Sequence, residues 1–173
     1  MAGAEETRHT EIARRALEDR LKKGRLPELP DNLPVELLQP GAAFVSLKKQ
    51  GALRGCIGTV QPNRKNLAEE IAHNALSAGL NDPRFPPLTL EELDQIEINV
   101  DVLSPPEKIS SPSQLDSSRY GVIVQSGPRT GLLLPNLEGI DTVEQQLSVA
   151  RQKAGIAPDE PVELYRFEVK RYY

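Results

Sequence analysis

A short glycine-containing segment brings an arginine close to the single cysteine of the chain. Residues 53–58 read LRGCIG, and on a β-strand Arg54 and Cys56 would share one face. Leu53 and Ile57 would share the opposite face and point into the core. A neighbouring guanidinium favours the thiolate, the form of cysteine that acts as a nucleophile or metal ligand. The segment therefore predicts a reactive Cys56 assisted by Arg54. The alternative is a thiol used for packing, because free cysteine is often buried.

Two glycines of this segment leave bare backbone near the thiol. Gly55 and Gly58 have no Cβ, so they permit a β-bulge or the close approach of a ligand. We therefore count both among the candidate ligand-binding residues. The alternative is that the two glycines are needed only for the backbone conformation of the bulge.

A proline-containing loop, residues 81–87 (NDPRFPP), holds a second group of polar candidates. Asp82 and Arg84 flank a proline, which restricts the backbone and can fix a carboxylate and a guanidinium in place. Such an arrangement suits the binding of a polar ligand or the orientation of a catalytic partner. The alternative is a connector with an internal ion pair, in which Phe85 fills the core.

Histidine would be the usual base for a cysteine nucleophile, and His73 lies on a predicted helix. Glu69, His73 and Ser77 follow each other at helical spacing on a polar face, so a solvated His73 is expected. The other histidine, His9, is far away in the sequence. With one cysteine and two distant histidines, we predict no metal site.

The tip of a predicted hairpin, residues 127–131 (GPRTG), holds Arg129 between two glycines. Its guanidinium and the neighbouring backbone N–H groups could bind an anion. The segment lacks the Gly-Lys-Ser/Thr ending of a phosphate-binding loop, and the chain has no Gly-x-Gly-x-x-Gly nucleotide motif. A simple hairpin turn is therefore the favoured interpretation from the residues alone.

Composition excludes several classes of protein. The chain has 173 residues, with 21 Lys and Arg against 25 Asp and Glu, so its formal net charge is −4. This balance argues against general nucleic-acid binding, which requires a basic surface. No apolar run approaches the roughly 18 residues that span a membrane, and no secretory signal is visible. A single cysteine excludes an intrachain disulfide. We expect a soluble, cytoplasmic protein.

Four segments have the apolar spacing or the N-cap residues of helices. They are residues 4–23, residues 67–77 after Asn66 and Glu69, a short helix after Thr89 and Glu92, and a helix that begins at Asp141 with Glu144 and ends before Gly155. Gly24 and Gly79 are the predicted stops of the first two helices. Residues 26–34 contain three prolines and are predicted to form a loop.

Strands are predicted mostly in pairs, with helices between the pairs. They are residues 42–49 and 52–60 around a turn at Gln50-Gly51, residues 95–103, residues 120–125 with 131–134, and residues 161–171. Residues 104–119 are predicted to form a loop. This order indicates an α+β fold, with an antiparallel or mixed sheet and flanking helices.

Five ordered blocks of sequence resemble the AMMECR family, protein A of the AmmeMemoRadiSam system. They are residues 43–47 (AFVSL) with 53–58 (LRGCIG), Asn74-Ala75 with 82–88 (DPRFPPL), 98–107, 131–135 (GLLLP) and 153–155 (KAG). The resemblance covers residues 10 to 170. The chain departs from the family in having no tryptophan and no second cysteine near residues 153–155.

The resemblance implies a single domain over residues 1–173, built of two unequal lobes with a groove between them. The larger lobe would carry both termini, and the LRGCIG motif would lie close to the groove. It also implies a Memo-like protein and a radical S-adenosylmethionine (SAM) enzyme as partners, and no membrane. The resemblance predicts one shared site, with these candidate residues: Cys56, Arg54 and Asp82 for catalysis, and Arg54, Gly55, Gly58, Asn74, Arg84 and Arg129 for ligand binding.

Two functions remain open at this point. The favoured one is an accessory or binding component that acts through the groove with these partners. The alternative is an enzyme in which the Cys56 thiolate attacks an electrophile or carries a group. Arg84 and Arg129 would then hold an anionic small molecule, and Asp82 would orient a base or a water. The lack of a convincing base is the weak point of the enzyme hypothesis, and nothing in the sequence identifies a cofactor.

Overall fold

Two four-stranded antiparallel sheets, the first packed against helices and the second against one helix, form the fold of the computed structural model, which describes residues 6–173. The chain divides into two compact units. Unit one contains residues 6–103 and Lys170–Tyr173, and unit two contains Ser104–Val169. The α+β class predicted from the sequence is confirmed. The groove implied between two lobes stays a prediction.

The first sheet belongs to unit one and has the order β2-β1-β3-β8. Its strands are β1 (Ala42–Lys49), β2 (Ala52–Gly58), β3 (Ile96–Leu103) and β8 (Val169–Tyr172). Both central residues of the β1–β2 turn, Gln50 and Gly51, have positive φ values, 53° and 78°. This conformation is typical of a two-residue hairpin and agrees with the predicted turn.

Three helices accompany this sheet: α1 (Arg8–Lys23), α2 (Val35–Leu38) and α3 (Leu67–Leu80). The side chain of Thr7 caps the start of α1, and Gly24 ends it with φ 64°, as predicted. Residues 4 and 5 of the predicted first helix lie outside the described residues. The short helix α2 lies just after the predicted proline loop, in a stretch for which no helix was predicted.

The predicted stop of α3 at Gly79 is wrong, because the helix continues to Leu80 and is capped by Asn81. A Cβ at Gly79 would lie 2.8 Å from Cδ2 of Leu17. The glycine therefore serves the close packing of α3 against α1. The core of unit one lies between these two helices and the sheet, and includes fully buried Val45.

The second sheet belongs to unit two and has the order β4-β7-β5-β6. Its strands are β4 (Glu107–Ile109), β5 (Gly121–Ser126), β6 (Arg129–Leu133) and β7 (Glu163–Phe167), and its helix is α4 (Val143–Ala154). A Cβ at Gly131 would lie 2.0 Å from the carbonyl oxygen of Ala150, so α4 lies directly against β6.

Three predictions for the C-terminal half are wrong. The N-cap of α4 is Thr142, whose side chain forms a capping box with Gln145, so the predicted pair of Asp141 and Glu144 is off by one residue. The predicted strand 161–171 is two strands, β7 and β8, in different sheets. Strand β4 lies in a stretch predicted as loop. Among the described residues, no helix is both long and apolar enough to cross a membrane.

Candidate functional site

A β-bulge in the edge strand β2 decides where the motif side chains lie. Lys48 of β1 pairs with Leu53, but the preceding residue, Leu47, pairs with Gly55. Arg54 is therefore an extra residue, and the alternation of side chains is interrupted there. The predicted shared core face of Leu53 and Ile57 is wrong for this reason: Leu53 is 42% exposed, whereas Ile57 packs against the core.

Arg54 is buried and bound to Glu92 rather than to the thiol. Its Nε and Nη2 donate to the two oxygens of Glu92, each at 3.1 Å. Lys49 Nζ and the backbone N–H of Thr89 donate to the same carboxylate, at 3.1 and 3.0 Å. These contacts, with Arg54 first, lower the pKa of Glu92 to about 2. The structure thus ties β2 to the turn before β3, and the short helix predicted there is a 3₁₀ turn, Leu93–Gln95.

The two motif glycines are places of close packing within unit one. A Cβ at Gly55 would lie 2.1 Å from the carbonyl oxygen of Ala78 in α3. A Cβ at Gly58 would lie 2.2 Å from the ring of Phe44. Packing therefore accounts for both glycines, and their predicted contact with a ligand stays a prediction.

Cys56 is half-buried and faces away from the core. Its Sγ lies 3.3 Å from Oγ of Ser46, the residue opposite it on β1. Its N–H donates to Oδ2 of Asp82 at 3.0 Å, and its carbonyl oxygen accepts from Nη2 of Arg84 at 3.3 Å. The loop after α3 therefore binds the main chain of Cys56 through both of its polar groups.

Asp82 and Arg84 form an internal ion pair, which was one of the two alternatives for this loop. The Asp82 side chain is 2% exposed and accepts the backbone N–H, Nε and Nη2 of Arg84 at 3.0, 3.0 and 2.7 Å. The Arg84 hydrogen bond holds the pKa of Asp82 well below its usual range, against the opposing effect of burial. The same contact raises the pKa of Arg84. A carboxylate engaged in this way is a poor proton acceptor.

Arg84, rather than Arg54, is the cation that contacts Cys56, through the carbonyl oxygen of that residue. Its side chain is 55% exposed, and its guanidinium lies 5.5 Å from the ring centre of half-buried Phe85. The guanidinium is therefore fixed on one side by Asp82 and open to solvent on the other.

Asn74 is placed in a buried network that the sequence did not reveal. Its Nδ2 donates to the carbonyl oxygen of Ala43 and to Oγ1 of Thr59, at 2.9 and 3.3 Å. Glu70, 1% exposed, accepts from the Thr59 hydroxyl and from the backbone N–H groups of Asn63 and Arg64. Together these side chains fix the segment between β2 and α3. A contact of Asn74 with a ligand stays a prediction.

His73 is half-buried rather than solvated as predicted, and burial lowers its pKa. Within the described part of unit one, Ser46 Oγ is the only side-chain atom in hydrogen-bonding distance of the Cys56 sulfur. The described residues also contain no group of three histidine, cysteine or acidic side chains placed to hold a metal ion.

Arg129 lies in unit two, at the start of β6, and is bound to its own surroundings. Its Nη1 donates to the carbonyl oxygen of Gly155 at 2.9 Å, and its Nη2 forms an ion pair with Glu160 and contacts Ser126. The pKa of Glu160 is lowered, first by Ser126 and then by Arg129. The guanidinium thus connects the hairpin tip to the segment after α4. Its membership of a shared site with Cys56 stays a prediction.

A family model described as AMMECR1 matches residues 10–172. The chain belongs to the AMMECR1 family. A Thermotoga maritima relative of this AMMECR1-family chain is 52% identical over 161 residues, which are 91% of this chain and 92% of the relative. A Clostridium acetobutylicum protein is 48% identical over 167 residues, which are 95% of this chain but 35% of that protein. The family resemblance found in the sequence is confirmed.

The crystal structure of an uncharacterised protein, PH0010 from Pyrococcus horikoshii, is similar to the AMMECR1 fold described above. The two share 37% sequence identity and superimpose with a TM-score of 0.86, over 94% of this chain and 88% of that one. This agreement supports the α+β architecture independently of the sequence patterns.

The motif of this AMMECR1 chain thus separates into engaged groups and available groups. Arg54 forms an ion pair with Glu92, and Asp82 forms one with Arg84. The groups that remain for an incoming molecule are the half-buried Cys56 thiol and the exposed side of the Arg84 guanidinium. They can bind an anion and contact a soft or electrophilic atom, but the described part of unit one supplies no base hydrogen-bonded to the thiol.

Proposed function

We propose that this chain is an accessory binding component that recognises an anionic group at Cys56 and Arg84 and works with a Memo-like protein and a radical SAM enzyme. The observation that carries the proposal is the engagement of Asp82. Its carboxylate accepts four hydrogen bonds, three from Arg84 and one from Cys56. It is therefore a support for the loop and the strand.

Cysteine catalysis usually needs a group that removes the thiol proton and returns it later. The nearest polar side chain, Ser46, is a neutral hydroxyl 3.3 Å from the sulfur. Arg54, the charged residue of the LRGCIG motif, is neutralised by Glu92. This set of groups is better suited to recognition than to proton transfer.

The Arg84 guanidinium indicates that the ligand carries an anionic group. A guanidinium held by a buried carboxylate loses little freedom when it binds, so its charge-assisted hydrogen bonds contribute more to affinity. The exposed side of Arg84 fits a carboxylate or phosphate group on a partner protein or on a small molecule.

The Clostridium acetobutylicum relative supports an accessory role. The region similar to this chain makes up 35% of that protein, so a domain of this type occurs there within a much longer polypeptide. A domain that is part of a longer polypeptide in one organism can correspond, in another organism, to a separate protein that binds the rest of that polypeptide.

The test is the affinity of the purified chain for a Memo-like protein and for a radical SAM enzyme of the same organism, measured by calorimetry. We expect Arg84→Gln to weaken binding by about tenfold, since a hydrogen bond to a charged group contributes about 1.5–3 kcal/mol. Cys56→Ser should weaken binding less than Arg84→Gln does, because the charge that holds the anion is on Arg84. Arg15→Gln, an exposed arginine on α1, is the matched control. Equal binding by wild type and Arg84→Gln would refute the assignment of Arg84.

The second candidate is a cysteine-dependent enzyme, and the specific observation in its favour is the contact of the Arg84 guanidinium with the carbonyl oxygen of Cys56. The pH dependence of iodoacetamide alkylation separates the two, because Cys56 is the only thiol. A midpoint well below about 8.5, the value of free cysteine, favours the enzyme. Alkylation that becomes fast only on denaturation favours the binding component.

A further inference from the structure

We propose that the contact between His9 and Tyr172 is a pH-sensitive latch, which holds the C-terminal strand β8 on the first sheet at neutral pH and loosens it in mild acid. The proposal is independent of the Cys56 site. It concerns how the end of the chain is attached to unit one.

The latch is an aromatic stack between buried His9 and half-buried Tyr172. His9 lies in the first turn of α1 and is 5% exposed. Its ring is stacked on that of Tyr172, with the centroids 3.6 Å apart and the planes inclined by 9°. Since Tyr172 is the last residue of β8, this stack connects α1 to the end of the edge strand.

The other side-chain contacts described for β8 are made without histidine. Arg171 binds both oxygens of buried Asp101, at 2.7 and 3.0 Å. The carbonyl oxygen of Tyr173 accepts from Thr7 N–H and Thr10 Oγ1, at 3.2 and 3.0 Å. His9 is the histidine of this set, and histidine is the side chain whose ordinary charge change falls between about pH 5 and 8.

The surroundings of His9 disfavour its protonation. Burial lowers its pKa, Lys170 of β8 lowers it further, and Glu36 of α2 partly opposes them. The positive end of the α1 dipole acts in the same direction as burial. Lys170 and Tyr172 are both in β8, and Lys170 Nζ lies 5.3 Å from the centre of the Tyr172 ring.

The sign of the effect follows from linkage. When β8 is released, His9 regains the ordinary histidine pKa near 6.5, above its value in the attached state. The released state therefore binds the proton more tightly. Attachment is strongest above about pH 6.5 and weakens as the pH falls through the interval between the two pKa values.

Strand β8 lies directly after one of the two chain connections between the units. Unit two, Ser104–Val169, is inserted into unit one, so the chain leaves unit one after Leu103 and returns at Lys170. Loosening β8 would free the second of these two connections while the first remains.

The experiment is amide hydrogen exchange of the full chain at about pH 7.5 and about pH 5.5, corrected for the intrinsic pH dependence of exchange. We expect the protection of β8 amides to fall several-fold in acid while that of β1 amides is unchanged. His9→Phe keeps an aromatic ring but cannot titrate, so its β8 protection should be the same at both pH values. His73→Gln is the matched control and should behave as wild type.

Two surface variants test the latch even if His9→Phe folds poorly. Lys170→Gln should raise the NMR titration midpoint of His9 and reduce the acid loss of β8 protection. Glu36→Gln should lower the midpoint and increase that loss. The proposal is overturned if β8 and β1 lose protection together, if folded His9→Phe keeps the pH response, or if the two surface variants shift the midpoint in the same direction.

Discussion

Arg54 and Glu92 form a two-pronged ion pair, with Nε and Nη2 each 3.1 Å from a carboxylate oxygen, across 38 residues of sequence. Arg54 comes from the edge strand β2 and is 8% exposed. Glu92 comes from the turn that leads into β3. The motif arginine therefore joins two segments of unit one instead of facing the motif cysteine.

This pair gives the stability of the protein a defined acid dependence. The pKa of Glu92 falls from 4.5 to about 2 on folding, so its contribution is full above about pH 4.5 and is lost as the pH falls toward 2. The contribution at neutral pH is on the order of 3 kcal/mol. Urea denaturation from pH 6 to pH 3 should show a smaller loss of stability for Glu92→Gln than for wild type. The exposed neighbour Glu91, changed to Gln, should leave the wild-type curve intact.

Asp82→Asn should destabilise the fold, because the amide cannot replace the charged acceptor of Arg84 and Cys56. We expect a loss of about 2 kcal/mol in the free energy of unfolding. Asp94→Asn, at an exposed aspartate, should change it by less than about 0.5 kcal/mol. Chemical denaturation measures both. Similar values for the two variants would mean that the loop is held by other contacts.

Gly55→Ala should be more damaging than a glycine substitution in an open turn. The new methyl group would meet the Ala78 carbonyl oxygen at 2.1 Å, and α3 would have to move away from β2. Gly127→Ala meets no atom within 4 Å but occupies a positive φ of 59°, which costs about 1 kcal/mol. Thermal unfolding should therefore show a lower melting temperature for Gly55→Ala. A reversed order would indicate that α3 yields easily at this contact.

Glu70→Gln should loosen the segment between β2 and α3 more than the rest of unit one. The carboxylate accepts the N–H groups of Asn63 and Arg64, at 3.0 and 2.9 Å, and a neutral amide is a weaker acceptor. Amide exchange at these two residues should accelerate by about tenfold, while β1 amides keep their protection. Glu69→Gln, on the half-buried adjacent position, is the control. Uniform acceleration would point to global destabilisation instead.

The repeating patterns of the sequence predicted most of the regular elements. Strand β1 has the predicted bounds, and α1 ends at the predicted Gly24, because amphipathic spacing and a left-handed glycine are local signals. The division of residues 161–171 into β7 and β8 was missed, since the alternation continues across Glu168 while the two strands join different sheets.

The geometry of the motif depended on a β-bulge that the motif glycines permit but whose exact position they do not fix. An unbroken hairpin that starts from the Lys49–Ala52 pair would place Cys56 opposite fully buried Val45. The bulge shifts the register by one residue, so Cys56 faces Ser46 instead. Nothing in LRGCIG marks Arg54 as the extra residue. Its partner Glu92 and the acceptor Asp82 come from distant segments, and for that reason the sequence could suggest the residues of the site but not their pairings.

The loop after α3 has one more consequence, for the behaviour of the protein at high concentration. Strand β2 is an edge strand of its sheet. Exposed N–H and C=O groups of an edge strand can pair with a strand of another molecule and start aggregation. At Cys56 both groups are already occupied, by Asp82 and Arg84. The chain can therefore present its one thiol at a sheet border without offering that stretch of backbone as a template for intermolecular β-structure.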